Sequence, residues 1–353
     1  MALYRSVIRP LLFRIDPERI HHLLMGALRV GLSLPLLPKL LRWRLYYRAE
    51  ALASTHSGIF FPNRVGLAAG FDKGAELVDR LRSLGFGFAE VGTVTPWPQP
   101  GNPRPRIFRL PEDGAVINRM GFNSVGLAAV VHRLARRRPY RIPIAGNIGK
   151  NTDTPNGRAV EDYVTCMREL YPLVDFFVVN VSCPNVEHLS DLQSCEGVTP
   201  IVAALLRQRE EMRYHKPIYL KLGPDEPEES LVAVARATLR MGIDGFVLTN
   251  TTRSREGLRS PGARVEAAGM GGLSGAPLRL RARERVRILR EAVGKDVPII
   301  GVGGVFTGPD ALEMLKAGAS LVEIYTGFIY EGPCAARNIN RYLLEHADEL
   351  PRW

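Results

Sequence analysis

Cysteine is scarce in this chain, and its placement argues against two common structural uses of the residue. The 353 residues include only four cysteines, Cys166, Cys183, Cys195 and Cys334. They form no CxxC pair and have no metal-ligand spacing with histidine, which argues against a zinc site and against a disulfide scaffold. Isolated thiols of this kind indicate a reducing, cytosolic setting, and we predict that the chain holds no metal.

Long hydrophobic runs are absent as well. No apolar stretch reaches the roughly 20 residues needed to span a bilayer, and the N-terminus has no signal-peptide cleavage pattern. No HExxH motif, carboxylate pair or Ser/His/Asp arrangement stands out, so hydrolysis is poorly supported. Hydrophobic residues make up 46% of the chain and charged residues 24%, which excludes disorder and indicates a globular protein with a large core.

Basic residues outnumber acidic ones, 47 against 36, which gives a formal net charge of +11. Such an excess suits nucleic acid, an anionic membrane surface or an anionic substrate, and it does not choose among them. Residues 1–60 contain nine of the basic residues and only three acidic ones. The positive charge is therefore concentrated at the N-terminus.

Two short amphipathic helices are predicted in this basic region. Asp16-Pro17-Glu18 combines an N-cap with proline at the first helical position, and apolar residues then recur at helical spacing as far as Gly31. A second helix begins near Leu37, with leucine, arginine and aromatic residues interleaved. This composition favours a helix pair at a membrane interface. The alternative is a hairpin packed on its own domain or on a second subunit.

Residues 51–353 have the pattern of one α/β domain, and residues 1–50 form a separate helical extension. Short apolar runs alternate with helical patterns, as in a parallel sheet buried on both faces. Eight such runs over about 270 residues indicate a (β/α)8 TIM barrel, with a doubly wound sheet as the alternative. Segments 94–142 and 250–297 are predicted to be loop or hairpin insertions over the barrel mouth. The predicted strands are Val65-Ala69, Phe88-Thr93, Pro143-Ile148, Phe176-Val181, Ile218-Leu222, Gly245-Thr249, Ile299-Val302 and Leu321-Tyr325.

Polar residues follow the predicted strands, at the end where a barrel holds its active site. Asparagine amides are expected to converge on this mouth and to suit a flat ligand with imide-like edges. Glycines after the seventh and eighth strands predict a phosphate site. A single asparagine or a glycine pair after a strand more often forms an ordinary turn. The prediction of a ligand site therefore depends on all of these residues together. The asparagines are Asn118, Asn147, Asn180, Asn185 and Asn250.

Cys183 is the best candidate for acid–base chemistry. A thiol has a pKa near 8.5, and adjacent cations lower it; Lys73 is expected to lie across the mouth. Such a base can remove a weakly acidic C–H proton while hydride passes to a flavin, whose phosphate would occupy the glycines. Taken alone, a cysteine is more often a buried small hydrophobe.

Several motifs follow one another in a fixed order along the chain. They are Gly66-Leu-Ala-Ala-Gly-Phe-Asp-Lys73, Gly92-Thr-Val-Thr-Pro96, Asn118-Arg-Met-Gly-Phe-Asn123, Asn180-Val-Ser-Cys-Pro-Asn185, Thr249-Asn-Thr-Thr252, Gly271-Gly-Leu-Ser-Gly275 and Gly301-Val-Gly-Gly304. Together they resemble the dihydroorotate dehydrogenase family over essentially the whole chain. The helical N-terminal extension resembles its class 2 branch, whose members reduce quinone and associate with membranes.

The resemblance implies an activity and a location. It implies a barrel that holds FMN and oxidises dihydroorotate to orotate in de novo pyrimidine biosynthesis. The electrons would pass to a membrane quinone that enters between the N-terminal helices. It also implies peripheral attachment to the cytoplasmic face of the cell membrane and no nucleic-acid partner.

The resemblance further implies a role for each matched residue. Cys183 would be the catalytic base, and Lys221 would lie near the flavin pole that gains negative charge. His21, Arg109 and Tyr325 match positions beside the quinone tunnel. The residues that would hold FMN are Ala69, Gly70, Lys73, Thr93, Asn147, Asn180, Lys221, Thr249, Gly275, Gly304, Tyr325 and Thr326. The residues that would hold dihydroorotate or orotate are Lys73, Asn118, Arg119, Met120, Gly121, Phe122, Asn180, Asn185, Asn250 and Thr251.

The catalytic loop departs from the class 2 pattern. Class 2 members typically carry serine as the base, whereas Cys183 is typical of the soluble class 1 enzymes, and Val186-Glu187-His188 replaces the usual Thr-Pro-Gly. One alternative is therefore a soluble FMN barrel that uses fumarate or another acceptor, with the helical hairpin as a dimer contact. Another is an enzyme for a different reduced pyrimidine. A catalytically silent barrel that binds a nucleotide or nucleic acid is weakly supported, because no RNA-binding motif occurs.

Overall fold

Eight parallel strands pair in chain order and close into a barrel, because the last strand pairs with the first, with Val322 opposite Val65. The computed structural model describes residues 3–185, 189–351 and 353. All eight predicted strands are present, and the predicted barrel is confirmed. In chain order the strands are β1 (Ser54–His56), β2 (Ile59–Phe61), β3 (Val65–Leu67), β4 (Phe88–Val94), β5 (Ile107–Leu110), β6 (Ala115–Asn118), β7 (Ile144–Ile148), β8 (Phe176–Asn180), β9 (Ile218–Leu222), β10 (Gly245–Leu248), β11 (Gly272–Gly275), β12 (Ile299–Val302) and β13 (Leu321–Ile324). The barrel consists of β3, β4, β7, β8, β9, β10, β12 and β13.

Helices connect most of the barrel strands. Between β3 and β4 a 3-10 helix, Val78–Leu84, takes the place of an α-helix. The helices are α1 (Arg9–Phe13), α2 (Pro17–Gly31), α3 (Leu37–Leu45), α4 (Leu127–Ala135), α5 (Ala159–Leu170), α6 (Cys195–Glu210), α7 (Glu228–Met241), α8 (Gly262–Ala268), α9 (Arg279–Val293), α10 (Gly308–Lys316), α11 (Thr326–Glu331) and α12 (Ala335–Glu345).

The interior of the barrel has an apolar layer and a polar layer. Phe61, from the β1–β2 hairpin, packs inside the barrel edge-on to Phe88 and Phe176, with ring centroids 5.3 and 6.0 Å apart. Side chains two residues apart in a strand share a face. The positions two residues after Phe88, Tyr219 and Leu321 therefore also face the barrel interior, and the residues there are polar. The hairpin therefore closes the amino end of the barrel beneath the polar residues Glu90, Lys221 and Glu323.

The two long insertions meet in a small antiparallel sheet. β5 pairs with β6, and β6 pairs with β11. Segment 94–142 thus contributes a hairpin, as predicted, and segment 250–297 adds a third strand. Arg109, Asn118 and Gly275, one from each of these strands, line a cavity together with residues from the carboxyl ends of the barrel strands.

Both predicted N-terminal helices are present, preceded by a π-helical turn, Tyr4–Ile8, that continues into α1. Asp16 caps α2 as predicted, since its Oδ1 accepts hydrogen bonds from the backbone N–H groups of Glu18 and Arg19 at 3.1 and 2.9 Å. Tyr4 Oη donates to the backbone oxygen of Ile329 at 2.7 Å, which ties the extension to the barrel. Within the described residues no helix is long and apolar enough to cross a membrane.

The packing of Phe61 generates a stability prediction. Phe61→Ala is expected to destabilise the folded protein by about 3–5 kcal/mol, because it leaves a cavity against Phe88 and Phe176. Its neighbour Phe60 is 61% exposed in the same strand, so Phe60→Ala is the matched control, with an expected change below about 0.5 kcal/mol. Urea unfolding followed by circular dichroism measures both. Equal effects in the two variants would contradict the closing role of Phe61.

Candidate functional site

A large cavity connects the N-terminal helices with the carboxyl ends of the barrel strands. Its volume is about 710 Å³, within the range of roughly 300–1,000 Å³ that is usual for small-molecule sites. Leu12 and Met25 of the extension line one end, and Asn180 and Lys221 of the barrel line the other. A ligand bound among the strand ends is therefore in continuous space with the helical extension.

Asparagine side chains form a hydrogen-bonded network at the strand ends. Asn180 Nδ2 donates to Thr93 Oγ1 at 3.0 Å and to Asn147 Oδ1 at 3.4 Å. Asn250 Nδ2 donates to Asn180 Oδ1 at 3.3 Å, and Thr93 Oγ1 donates to Asn147 Oδ1. These residues come from three neighbouring strands and from the loop after β10, so the predicted convergence of these amides is confirmed.

A second amide cluster joins the barrel mouth to the small sheet. Asn185 Nδ2 donates to Asn118 Oδ1 at 2.8 Å, and the backbone N–H of Gly272 donates to Asn185 Oδ1 at 3.1 Å. Asn102 Nδ2 donates to the backbone oxygen of Asn185 at 3.1 Å. Asn118 and Asn185 are thereby oriented at the edge of the cavity before any ligand binds.

Cys183 is buried in the cavity wall near two ammonium groups. Lys73 and Lys221 both interact electrostatically with it. Burial lowers the pKa of Lys73 to about 8, although Cys183 opposes this shift. Lys73 Nζ also donates to Asn123 Oδ1. The structure therefore brings Cys183 and Lys73 together at the mouth, as the sequence predicts.

Glu90 and Lys221 form a buried ion pair at the cavity wall, with Oε2 and Nζ 2.9 Å apart. Glu90 also accepts hydrogen bonds from the backbone N–H of Ala69 at 3.2 Å and from Asn147 Nδ2. Burial raises the cost of ionising Glu90, but the attraction of Lys221 outweighs it and holds the pKa of Glu90 below its ordinary value. Glu323 is a second buried carboxyl group beside this pair and lines the same cavity.

Close backbone packing forms the wall after the seventh and eighth barrel strands. Gly304 has a φ of +71°, and a Cβ atom there would lie 2.5 Å from Arg279 Cα, so both conformation and space require glycine. Gly304 and Thr326 line the cavity, and Thr326 Oγ1 lies 2.8 Å from Ser274 Oγ. Glycine backbone and hydroxyl groups in this arrangement suit the oxygens of a phosphate.

The cavity end beside the N-terminal helices contains many apolar side chains, and His21 and Arg109 lie among them. His21 lies edge-on to Phe71, with ring centroids 5.2 Å apart. Burial lowers the pKa of His21 to about 4, so the ring is neutral at physiological pH. Arg109 Cζ lies 4.6 Å from the ring centroid of Phe13, and its Nη1 donates to the Phe13 backbone oxygen at 3.3 Å. The ring of Tyr325 also contacts the ring of Phe71, with their centroids 6.1 Å apart.

Glu18 of α2 links the extension to the loop over the barrel mouth. Its Oε1 accepts hydrogen bonds from Arg106 Nη2 at 2.7 Å and from Arg104 Nη2 at 3.0 Å. Arg106 Nη1 donates to the backbone oxygen of Asn102 at 2.8 Å, and Asn102 in turn holds Asn185. Burial opposes ionisation of Glu18, but the two arginines outweigh it and lower the pKa of Glu18 to about 2.

Most of the residues that the sequence predicts for the site line this cavity. Asn147 is buried behind the wall, where it bonds other wall residues rather than reaching the cavity. Arg119 points away, because its guanidinium donates to the backbone oxygens of Ala268 and Pro105. Residues 186–188, where the sequence departs from the class 2 pattern, lie outside the described residues. The predicted residues that line the cavity are His21, Ala69, Gly70, Lys73, Thr93, Arg109, Asn118, Met120, Gly121, Phe122, Asn180, Cys183, Asn185, Lys221, Thr249, Asn250, Thr251, Gly275, Gly304, Tyr325 and Thr326.

Sequence reasoning missed the acidic residues of the site. Glu90 and Glu323 each interrupt an apolar run that is predicted to be buried on both faces. This interruption could have identified them as site residues. A charged residue in such a strand has no solvent face to occupy. Glu18 was recognised only as part of a helix start, because nothing local connects it with Arg106, 88 positions away.

The link through Glu18 generates a prediction for stability. Glu18→Gln is expected to lower the free energy of unfolding by roughly 1–3 kcal/mol, because buried Arg106 loses its counter-ion. Glu161 forms an exposed ion pair with Arg158, so Glu161→Gln is the matched control and should unfold at the same temperature as wild type. Thermal unfolding measures the stability of both variants. Partial proteolysis measures whether α2 detaches from the barrel more readily.

The difference in stability between wild type and Glu18→Gln should depend on pH, because the pKa of Glu18 is lowered. The contribution of the carboxylate is fully present above its ordinary pKa of 4.5 and is lost as the pH falls toward about 2. Wild type and Glu18→Gln should therefore differ by a constant amount near neutral pH and converge in acid. Identical stabilities at neutral pH would contradict the structural role of the ion pair.

Comparisons with known proteins agree with the geometry. The sequence profile described as dihydroorotate dehydrogenase matches residues 51–346. A relative named dihydroorotate dehydrogenase (quinone), from Christiangramia forsetii, is 48% identical over 343 residues, which cover 97% of this chain and 99% of the relative. A protein of the same name from Roseiflexus sp. is 49% identical over 338 residues, with 96% and 92% covered.

Solved structures of dihydroorotate dehydrogenases also match this chain. The ligand-free type DHODH from Eimeria tenella superposes with a TM-score of 0.86 at 36% identity, covering 95% of this chain and 97% of that one. The complex of DHODH with ferulenol from the same organism gives a TM-score of 0.84 at 37% identity, with 94% and 91% covered. This chain therefore belongs to the dihydroorotate dehydrogenase family.

Proposed function

We propose that the chain oxidises dihydroorotate to orotate in pyrimidine biosynthesis, with FMN as cofactor and a membrane quinone as electron acceptor. The observation that carries this proposal is the continuous cavity. It joins a polar pocket, which contains Cys183, Lys73 and asparagine amides, to an apolar passage beside the N-terminal helices. One end suits a small anionic ring, and the other suits a hydrophobic acceptor. The relatives named for quinone support this arrangement.

The residues at the centre of the cavity fit a flavin. The dihydroorotate dehydrogenase family is flavin-dependent, and a bound flavin supplies the means to accept a hydride and pass electrons on. Thr249 Oγ1 is buried here and has no hydrogen-bond partner in the described part of the chain, so a polar edge of a ligand would satisfy it. The lining residues assigned to FMN are Ala69, Gly70, Lys73, Thr93, Asn180, Lys221, Thr249, Gly275, Gly304, Tyr325 and Thr326.

Amides and one ammonium group hold the substrate in the polar pocket. Asparagine amides offer both N–H donors and carbonyl acceptors, which match the alternating N–H and C=O groups of a dihydropyrimidine ring. Asn118 and Asn185 hydrogen-bond each other, so the pocket is oriented in advance. Lys73 keeps its proton at neutral pH and offsets the negative charge of the substrate carboxylate.

Cys183 takes up the proton that leaves the substrate carbon. The negative charge that its Sγ gains is attracted by Lys73 and Lys221. A thiolate that is attracted by two cations can function as a general base. A serine in this position would be far less acidic.

At the other end, His21 and Arg109 flank the passage that we assign to the quinone. The neutral His21 ring and the apolar side chains of α2 allow a hydrophobic head group to enter without burying an unpaired charge. Arg109 keeps a cation beside the passage, where it can hydrogen-bond a carbonyl oxygen. Tyr325 lies between this region and the flavin site.

The function is tested by adding dihydroorotate anaerobically to the flavin-loaded protein, which is expected to bleach the flavin absorption band. The limiting rate should rise with pH through a group in the thiol range. In Cys183→Ser the limiting rate should fall by about 10²–10⁴-fold, and the rise should leave the thiol range, because an alcohol is a much weaker acid. Stopped-flow absorbance from about pH 6 to about pH 10 measures the limiting rate separately from the Kd of the substrate. This Kd should increase as Lys73 loses its proton near pH 8.

Each other outcome removes a specific part of the proposal. The same pH profile in wild type and Cys183→Ser would remove Cys183 from the role of base. A flavin band that does not bleach would mean a different substrate, such as another reduced pyrimidine, and a colourless protein would overturn the FMN assignment. Reoxidation by fumarate but not by quinone would replace the membrane acceptor with a soluble one.

We further propose that the N-terminal extension attaches the protein peripherally to the cytoplasmic face of the cell membrane. Its helices present apolar side chains to solvent, with Trp43 79% exposed and Leu40 59% exposed. Arginine and lysine residues lie among them, as in helices that bind anionic lipid surfaces. The exposed apolar residues of the extension are Leu3, Val7, Ile8, Leu11, Ile15, Leu23, Leu24, Val30, Leu34, Leu36, Leu40 and Trp43.

Membrane attachment is tested with the double variant Leu40→Glu, Trp43→Glu. Its partition onto vesicles that contain anionic phospholipid should fall at least about tenfold, since each lost apolar contact is worth about 1.5 kcal/mol or more. Tyr214, 63% exposed, precedes β9 and lies outside the extension, so Tyr214→Glu is the control and should bind as wild type does. Vesicle co-sedimentation measures all three. Equal binding by wild type and the double variant would contradict the proposed attachment.

A further inference from the structure

Asn102, in the loop after β4, contacts two segments that line the cavity, although in the described part of the chain it is not itself a lining residue. Its Nδ2 donates to the backbone oxygen of Asn185 at 3.1 Å. Its backbone N–H donates to the backbone oxygen of Met120 at 3.0 Å. Met120 and Asn185 both line the cavity, and the sequence predicts both for the substrate. One residue outside the wall therefore joins two parts of the proposed substrate pocket.

The close contact between Asn102 and Gly121 fixes how the loop after β4 lies against the substrate segment. A Cβ atom at Gly121 would lie 2.4 Å from Asn102 Oδ1 and 2.9 Å from the Asn102 backbone nitrogen. Asn185 in turn donates to Asn118 Oδ1 at 2.8 Å. The positions of Asn118, Gly121 and Asn185 relative to one another thus depend on where Asn102 lies.

Arg106 holds this loop and is itself held by the N-terminal extension. Its Nη1 donates to the backbone oxygens of Pro100 and Asn102 at 2.6 and 2.8 Å. Its Nε and Nη2 donate to the carboxylate of Glu18 in α2 at 3.1 and 2.7 Å. Arg106 is only 6% exposed, and a buried guanidinium that loses its carboxylate partner is strongly unfavourable. Detachment of α2 would therefore favour movement of Arg106 and of the two carbonyl groups that it holds.

We propose that Asn102 is a positioning residue for the substrate and that it transmits the docking of α2, through Glu18 and Arg106, to Asn185 and Asn118. The docked extension then favours the binding geometry of the substrate amides. Because such coupling is reciprocal, a ligand bound to these amides favours the docked extension by the same factor. The inference rests on the proposed function, since it takes orotate as a ligand of the polar pocket.

Removal of the Asn102 side chain tests its role in positioning. In the FMN-loaded Asn102→Ala variant, the Kd of orotate should rise about 3–10-fold, which corresponds to the loss of one hydrogen bond. Asn102→Asp keeps the shape but replaces the Nδ2 donor with an acceptor that faces a carbonyl oxygen, so the Kd should rise at least as much. The change in flavin absorption on adding orotate measures Kd without turnover. In both variants the pH profile of flavin reduction should match wild type, since neither changes Cys183 or Lys73.

A double-mutant cycle tests whether Glu18 and Asn102 act along one path. Glu18→Ala removes the hydrogen bonds to Arg106 and should raise the Kd of orotate about 3–10-fold in the wild-type background. In the Asn102→Ala background the same change should raise it less than about twofold, because the path is already interrupted. Glu161 forms an exposed ion pair with Arg158, so Glu161→Ala is the control and should leave the Kd unchanged in either background.

Limited trypsin digestion tests the reciprocal effect. Saturating orotate should slow cleavage within residues 1–50 of the wild-type protein by about 3–10-fold, the same factor by which docking of the extension strengthens orotate binding. In Asn102→Ala saturated with orotate, this protection should fall below about twofold. Stabilisation of the whole protein by the ligand would instead protect both proteins alike, so the comparison separates the two causes.

Each other outcome overturns a defined claim. An unchanged Kd in Asn102→Asp, or equal effects of Glu18→Ala in the two backgrounds, would overturn the positioning role. Equal protection from trypsin in wild type and Asn102→Ala would overturn the transmission between α2 and the amides. If Asn102→Ala does not fold, as judged by circular dichroism, Asn102→Asp replaces it in every measurement. A wild-type protein that contains FMN and binds no orotate would refute the proposed function instead.

Discussion

Closure of the barrel is the constraint on which the site depends. Glu90 and Lys221 lie in β4 and β9, which are separated by two other strands. A flat sheet would hold their backbones about 14 Å apart, at about 4.8 Å for each strand spacing. Across the closed barrel their charged groups are 2.9 Å apart. The pairing of β13 with β3 therefore creates the polar layer as well as the fold.

An apolar layer beneath the polar layer excludes water from one side of it. Phe61 fills the amino end of the barrel against Phe88 and Phe176, which keeps water away from Glu90 and Lys221 on that side. A buried ion pair contributes little net stability, since desolvation offsets its attraction. Lys221 and Glu323 line the cavity, and Glu90 forms its ion pair with Lys221 there.

The sequence was informative where a structural rule acts locally. All eight barrel strands could be predicted, because strands buried on both faces are continuous apolar runs. The convergence of Asn180 and Asn250 could be predicted, since parallel strands end at the same rim. The ion pairs Glu90–Lys221 and Glu18–Arg106 could not, because they join residues 131 and 88 positions apart. Such pairs depend on barrel closure and on how the extension docks, and neither leaves a local pattern.

The two cavity ends are formed by different residues, so the proposed cysteine base is compatible with the proposed quinone acceptor. Cys183 interacts with Lys73 and Lys221, both of which belong to the barrel. The passage assigned to quinone is formed by His21 of α2 and by Arg109, which contacts Phe13 of α1. Replacing the proposed base changes the charge and proton affinity at the polar end and removes no residue of the apolar end, and Lys73 interacts electrostatically with both Cys183 and His21. The class 1 type of residue at position 183 therefore does not by itself exclude the quinone acceptor that we propose.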